Sequence, residues 1–196
     1  MKKLIFVLSV SLALLVQVEG QAPPPPSPRR GPPAPPPAPL IFSPPAESDL
    51  KDFSPESKLF AARFAGLPTE QKRNVSGAVI STYRVYRKGS NSVVAITEMP
   101  INIENRSDEG FGLIRDGIRN NAGKLDKEGE ITIDRQVGRE FSALYDFTYR
   151  RFRVFIVANR IFEIQSDVTN WHIINDKTKE EWNRETDRFF SSFKIN

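Results

Sequence analysis

The sequence predicts an α+β fold, in which a mostly antiparallel central sheet lies between two main helices in an α/β/α sandwich. Several runs of β-branched and aromatic residues are joined by short turns, a pattern typical of strands paired as hairpins. Two longer stretches carry apolar residues at intervals of three and four, the spacing of an amphipathic helix. The chain contains no cysteine, so disulfides and thiolate metal sites are excluded.

Composition divides the 196 residues into three parts. Two lysines precede an apolar stretch over 4–16, and this pattern indicates a cleavable signal peptide at 1–20. Thirteen of the 16 prolines lie between Pro23 and Pro45, which predicts a polyproline II linker over 21–46. This linker is interpreted as a stiff tether, and the alternative is a ligand for a proline-reading domain. Residues 47–196 are expected to form the folded domain.

The first half of this domain shows strand patterns. Apolar residues over 59–64 predict a short strand that ends at a turn over 66–68. Residues 79–87 are β-branched and aromatic, with apolar side chains on both faces. A turn over 88–91 then leads into a partner strand over 92–97.

The spacing of apolar residues changes from that of a strand to that of a helix over 111–125, where we predict the first helix. Its apolar stripe consists of Phe111, Ile114, Ile118, Ala122 and Leu125. Asp108 and Glu109 lie at its start, where the helix dipole favours negative charge.

Strand signals resume after this helix. Residues 130–137 alternate, and Gly138 leads into a further strand over 139–145. Residues 149–158 are expected to form a central strand, since their end is apolar on both faces. A tight hairpin over 158–161, with Asn159 as its left-handed residue, then leads into a return strand over 161–165.

A second helix is predicted over 176–193. Thr178 and Glu181 have the spacing of a capping box. The side chains expected on its buried face are Trp182, Thr186, Phe189 and Phe193.

The residue types exclude much chemistry. The single histidine, His172, lies beside a tryptophan and is interpreted as a packed or partly exposed residue rather than a catalytic base. Asp126, Glu128 and Glu130 supply too few ligands for calcium and are interpreted as a solvated turn. The sequence therefore predicts no catalytic residue, cofactor or metal. The net charge of +4 is a mild excess, and no nucleic-acid partner is expected.

Basic and aromatic side chains cluster on the predicted strands after Gly138. Arginine and tyrosine are favoured in protein–protein interfaces. The predicted partner-binding surface consists of Arg139, Tyr149, Arg150, Arg151, Arg153 and Arg160. The alternative is that Arg150 and Arg153 pair internally with Glu140 and Glu163.

Three stretches carry a resemblance to a known family. They are FSPESKLFAARFAGLPTEQ (53–71), GREFSALYDFTYRRFRVFIVANRIFEIQ (138–165) and DRFFSSFKI (187–195). In order and spacing they resemble the PsbP-like family of small exported α/β/α sandwich domains, many of them uncharacterised bacterial proteins. Ala65-Gly66-Leu67-Pro68 departs from the family's usual proline-glycine opening. Plant and cyanobacterial members are non-enzymatic accessory subunits of photosystem II and its assembly, a role that the fold alone does not transfer.

The resemblance implies an exported, non-catalytic binding module. We expect a monomeric or weakly associating protein, periplasmic or extracellular, without stable membrane insertion after signal cleavage. Its partner would be a protein or a cell-envelope component. Two alternatives remain: a small hydrolase that uses carboxylates, which would need a deep pocket with two such groups of raised pKa, and a binder of anionic polymers.

Overall fold

The computed structural model describes residues 49–122 and 124–196, so the predicted signal peptide (1–20) and proline-rich linker (21–46) lie outside the described residues. The described chain contains two α-helices, α1 (Ser107–Ala122) and α2 (Asp176–Ser192), and a short 3₁₀ helix at Glu104–Arg106. All strand pairs in it are antiparallel, which confirms the predicted α+β class. Neither helix of this part of the chain is long and apolar enough to cross a membrane.

Ten strands form two sheets in the described residues. Their bounds are β1 (Lys51–Phe53), β2 (Phe60–Phe64), β3 (Thr69–Val75), β4 (Ala78–Arg87), β5 (Ser90–Glu98), β6 (Lys124–Ile133), β7 (Gln136–Tyr145), β8 (Thr148–Val157), β9 (Arg160–Thr169) and β10 (Lys194–Ile195). The main sheet has the order β3-β4-β5-β9-β8-β7-β6, and a small sheet has the order β1-β2-β10. The last strand of the chain thus pairs with the second one.

Successive side chains of each strand face opposite sides of the main sheet. On one side, here called the α1 face, Val154 and Ile156 pack against α1. On the other side, the α2 face, Phe155 packs against a cluster to which both α2 and the small sheet contribute. Since both faces are covered, the central strands are apolar on both sides, as the sequence over 149–158 predicts.

Two predicted turns differ in detail. The β6–β7 hairpin turns at Asp134 and Arg135, both with positive φ, inside the segment 130–137 that the sequence predicts as one strand. Gly138 lies within β7, where an added Cβ would stand 2.5 Å from the carbonyl oxygen of Val154 and 2.6 Å from the Phe155 ring. The close approach of these atoms explains why this position is a glycine.

The β8–β9 hairpin falls at the predicted place, but its left-handed residue is Ala158 (φ 53°) and not Asn159. Asn159 instead fixes the segment after β5. Its carbonyl oxygen accepts a hydrogen bond from the Met99 N–H (2.7 Å), and its side-chain amide donates to the Met99 carbonyl oxygen (3.1 Å). The side chain that favoured a turn in the sequence thus has a long-range role.

The helices follow the prediction except at their ends. α1 ends at Ala122, and Leu125 belongs to β6, although it packs against the core cluster that includes the α1 stripe. The start of α2 is capped by Asn175, whose Oδ1 accepts a hydrogen bond from the Thr178 N–H (2.9 Å). The predicted capping box at Thr178 and Glu181 is therefore wrong by one turn. The predicted apolar face is confirmed, since Trp182, Thr186, Phe189 and Phe193 are all buried.

Candidate functional site

The structure does not bring the six predicted surface residues onto one exposed surface. Strand alternation separates them, because neighbours such as Arg150 and Arg151 face opposite sides of the sheet. Arg139 and Arg150 lie on the α1 face, and the α2 face carries Tyr149, Arg151, Arg153 and Arg160. The continuous run of basic letters at 150–153 therefore corresponds to two separate sets of side chains.

Each of the five arginines of the predicted surface forms an ion pair within the chain. Glu140 accepts hydrogen bonds from Arg151 (2.9 Å) and Arg153 (2.7 Å) on the α2 face. Burial alone would raise the pKa of Glu140, but the hydrogen bonds and charges of these two arginines lower it overall. Both guanidinium groups also lie over the Phe190 ring of α2. This cluster joins β7, β8 and α2, and we interpret it as structural.

The remaining arginines are paired in the same way. Arg139 lies 3.4 Å from Glu130, and Arg160 lies 3.8 Å from Glu98. Internal pairing, which the sequence left as the alternative, is confirmed for Arg153 with Glu140, whereas Arg150 pairs with Asp167 rather than Glu163. Contact of any of these residues with a partner stays a prediction.

A second group of polar residues lies where the sequence did not place a site, on the α1 face of the four central strands. We call it the buried polar cluster: Asn91, Tyr145, Arg150, Glu163, Gln165 and Asp167. Asn91 on β5, Asp167 on β9 and Arg150 on β8 are register partners, so they form one row across the sheet. Gln165 and Glu163 continue the cluster along β9. Glu163, Gln165, Asp167 and Arg150 are each at most 7% exposed.

Asp167 is the centre of the hydrogen bonding in this cluster. Its Oδ1 accepts from Arg150 Nε (2.6 Å) and its Oδ2 from Arg150 Nη2 (3.2 Å). The Gln165 side-chain amide donates to both oxygens (3.0 and 2.8 Å), and that of Asn91 donates to Oδ2 (3.4 Å). The Arg150 guanidinium also lies 4.7 Å over the Tyr145 ring. Asp167 is thereby saturated as an acceptor.

The other atoms of the buried polar cluster are not satisfied. Five buried atoms have no hydrogen-bond partner: Asn91 Oδ1, Tyr145 OH, Arg150 Nη1, Glu163 Oε1 and Gln165 Oε1. A buried polar atom without a partner costs about 1–3 kcal/mol, and native proteins contain few of them. Their concentration on one face of four adjacent strands marks this region as a candidate binding site.

The titration of Glu163 is strongly perturbed. Burial raises the pKa of its carboxyl group, the charge of Arg150 lowers it, and that of Asp167 raises it again, with the result near 8. Glu163 is therefore a neutral hydrogen-bond donor and acceptor at pH 7. Burial likewise raises the pKa of the Tyr145 hydroxyl, which stays protonated. For Arg150, the charge of Asp167 outweighs the effect of burial, and the guanidinium stays charged.

A third feature is an exposed apolar region at one end of the sheet, here called the end patch: Phe147, Trp171, His172 and Ile173. Phe147 is 63% exposed and lies in the β7–β8 turn, and Ile173 is 56% exposed and lies in the β9–α2 loop. The Trp171 N–H donates to the Phe147 carbonyl oxygen (3.0 Å), which joins the two loops. The Phe147 ring lies 5.0 Å from the His172 ring.

The end patch rests on a layer of packed aromatic and apolar side chains. Trp171 stacks on Tyr149 with ring centroids 4.3 Å apart, and Lys179 covers it at 5.3 Å. Ile174 and Trp182 are buried beneath the loop. Two large apolar side chains are thus held in the solvent by an ordered frame, a feature typical of contact surfaces. Of the two environments expected for His172, packed or partly exposed, the structure shows an exposed side chain.

Sequence reasoning missed most of the buried polar cluster. A signal was present, because Glu163, Gln165 and Asp167 alternate along a strand of otherwise apolar character. The predicted strand stopped at Gln165, so Asp167 was not placed on the same face. Asn91 was interpreted as a turn residue. Only strand pairing, which joins Asn91, Asp167 and Arg150, shows that these residues are neighbours.

Comparisons with known proteins leave the family open. No family model matches the chain, and no curated protein matches it. Among solved structures, a protein from Bacteroides thetaiotaomicron VPI-5482 is similar at 11% identity with a TM-score of 0.32, covering 76% of this chain and 49% of that one. The extracellular domain of PknH from Mycobacterium tuberculosis is similar at 11% identity with a TM-score of 0.25, covering 58% and 64%. Likenesses at these TM-scores support no conclusion about fold or function.

Proposed function

We propose that this protein is an exported, non-catalytic binding domain of PsbP-like type that engages a partner protein through the end patch. The observation that carries the proposal is the pair of exposed side chains, Phe147 and Ile173, on two loops joined by a backbone hydrogen bond. Apolar anchors that are already ordered lose little entropy on binding and are favoured as interface hot spots. The expected partner surface is an apolar pocket that receives the Phe147 ring.

The rival functions have less support. A carboxylate-based hydrolase would need two acidic groups of raised pKa in one pocket. The carboxyl groups of raised pKa in the described residues, Glu163 and Glu185, lie on opposite sides of the main sheet, on the α1 face of β9 and on α2. Asp167 is also occupied by Arg150, Gln165 and Asn91. An anionic polymer would have to compete with the internal acidic partners of the arginines.

Site-specific photo-crosslinking in the producing cell tests the proposal. A photoreactive amino acid at position 147 should give one recurrent crosslinked protein. The matched control is position 67, since Leu67 is 80% exposed but lies in the β2–β3 turn. The same products from both positions, or none from 147, would contradict the end patch as a binding surface.

The purified crosslinked partner then allows a quantitative test. Removal of one interface anchor costs about 2 kcal/mol, so F147S is expected to raise the Kd about thirtyfold. L67S should leave the Kd unchanged. Because Phe147 and Leu67 are both exposed, neither substitution should change the melting temperature appreciably. Equal affinities of F147S and L67S would refute the proposal.

A further inference from the structure

Two large apolar side chains are exposed at a corner of the main sheet, away from the end patch. We call them the corner patch: Leu67, which is 80% exposed in the β2–β3 turn, and Tyr86, which is 59% exposed near the end of β4. Thr69 is the register partner of Arg84, so the same register continued by two residues places Leu67 opposite Tyr86. Side chains in this relation are cross-strand neighbours and form one surface.

The corner patch is held in place by its surroundings. The β2–β3 turn lies against β4, since a Cβ added at Gly66 would lie 3.7 Å from Val85 Cγ1. Arg84 donates a hydrogen bond to the Tyr86 hydroxyl, and its guanidinium carbon lies 5.2 Å from the centre of the ring. Proline-rich segments are recognised by ordered, exposed aromatic rings of this kind.

The described chain begins beside the corner patch. Its first residue is Asp49, and Lys51 of β1 is the register partner of Phe64 of β2. Leu67 follows Phe64 by three residues, a span of about 10 Å at most. The predicted proline-rich linker (21–46) therefore joins the domain within a short distance of Leu67.

The last part of the linker contains an apolar triplet that a spacer does not require. Residues 40–42 are leucine, isoleucine and phenylalanine, and they stand between Pro39 and Pro44 in a segment otherwise rich in proline and alanine. A stiff proline-rich spacer functions without large apolar side chains, and these lose free energy when they are left in water. The chain from residue 42 to Asp49 can span up to about 25 Å, which is more than the distance to Leu67 requires.

We propose that residues 40–42 dock on the corner patch of the same molecule, with the Phe42 side chain against Leu67 and the Tyr86 ring. Proline on either side restricts the triplet to extended backbone, so little entropy is lost when it docks. The linker is then a free tether only over 21–39, and its docked part fixes the direction in which the tether leaves the domain.

This contact does not depend on the proposed partner. Strands β5 and β9 separate β4, which carries Tyr86, from β8, whose preceding turn carries Phe147. At 4.8 Å per strand, the corner patch and the end patch are at least about 14 Å apart. The triplet can therefore occupy the first surface while the second stays open.

Paramagnetic relaxation in NMR tests the proposal on the full secreted chain. Because the chain contains no cysteine, Ser43→Cys provides one attachment site for a nitroxide spin label beside the triplet. In the ¹⁵N-labelled protein the label should selectively broaden the backbone amide signals of Leu67 and Tyr86. The same label at Ser27→Cys, in the first half of the linker, should broaden no particular region of the domain.

Substitutions on both sides of the contact provide the comparison. F42S in the labelled chain should lower the docking equilibrium constant about tenfold, because one aromatic anchor is lost, and broadening at Leu67 should fall accordingly. Y86S should have the same effect from the domain side. F147S is the matched control, since Phe147 is equally exposed but belongs to the end patch, and it should leave the broadening unchanged.

A mixed sample distinguishes the linker from a second copy of the chain. Spin-labelled chains without ¹⁵N, added to ¹⁵N-labelled chains without a spin label, should cause no broadening at Leu67. Selective broadening in that sample would assign the corner patch to contact between copies and would overturn the proposal. Broadening centred on Phe147, no selective broadening, or equal broadening in F42S and the parent chain would overturn it as well.

Discussion

The buried carboxyl group of Glu163 makes the stability of the protein depend on pH in a direction that a single substitution can test. Its pKa rises from 4.5 to about 8 on folding, so folding takes up a proton between these two values. The favourable contribution of protonated Glu163 to the free energy of unfolding is complete below pH 4.5, and it is lost as the pH rises through 8. At 1.36 kcal/mol per pKa unit, the loss amounts to about 5 kcal/mol at most.

Glu163→Gln keeps the shape of the side chain and removes its titration. Near pH 5 the variant and the wild type should have similar free energies of unfolding. At pH 8 the variant should be more stable by several kcal/mol, because it carries no charge that must be buried. Glu185, whose pKa burial raises to about 7 against the lowering effect of Arg87 and Arg188, adds a slope of the same sign to both proteins. The difference between the two curves is therefore the informative quantity.

Guanidinium denaturation at half-unit steps from pH 5 to pH 8.5 measures this difference. Glu98→Gln is the control, since Glu98 is partly exposed and pairs loosely with Arg160 at 3.8 Å. It should give a curve parallel to the wild type. A Glu163→Gln curve that is also parallel would show that Glu163 does not carry the proton, and the account of the buried polar cluster would have to be abandoned.

Two further predictions concern the packing of β7. Glu140→Gln should lower the free energy of unfolding by about 3 kcal/mol at neutral pH, because the half-buried Arg151 and Arg153 lose the buried carboxylate that they share. This deficit should narrow as acid protonates Glu140 in the wild type, and a deficit that is constant with pH would contradict the pairing. Gly138→Ala should lower the free energy of unfolding, measured with denaturant, by about 3 kcal/mol, because the added Cβ clashes with Phe155. Gly129→Ala has open space around its added Cβ, so it should change the free energy of unfolding by less than about 1 kcal/mol. Equal effects of the two alanines would argue against the clash.

Local periodicity explains which elements could be predicted. The strands around 79–87 and 149–158 and the stripe from Phe111 to Ala122 carry their burial pattern in consecutive residues. β3 carries no such pattern, because it is an edge strand whose seven side chains are all exposed or half-exposed. β10 is two residues long and exists only through its pairing with β2. Elements of this kind depend on partners that are distant in sequence.

Composition and spacing alone determined the α+β class, the hairpins, the apolar faces of both helices and the exclusion of thiol and disulfide chemistry. Each of these follows from residue identity or from contacts within a few positions of the chain. The tertiary structure alone decided which charges meet: Arg150 with Asp167, Arg151 with Glu140, and Asn91 in the same row as both members of the first pair. Charge pairing depends on strand order and on the face that each side chain occupies, and a one-residue change of register would reverse that face.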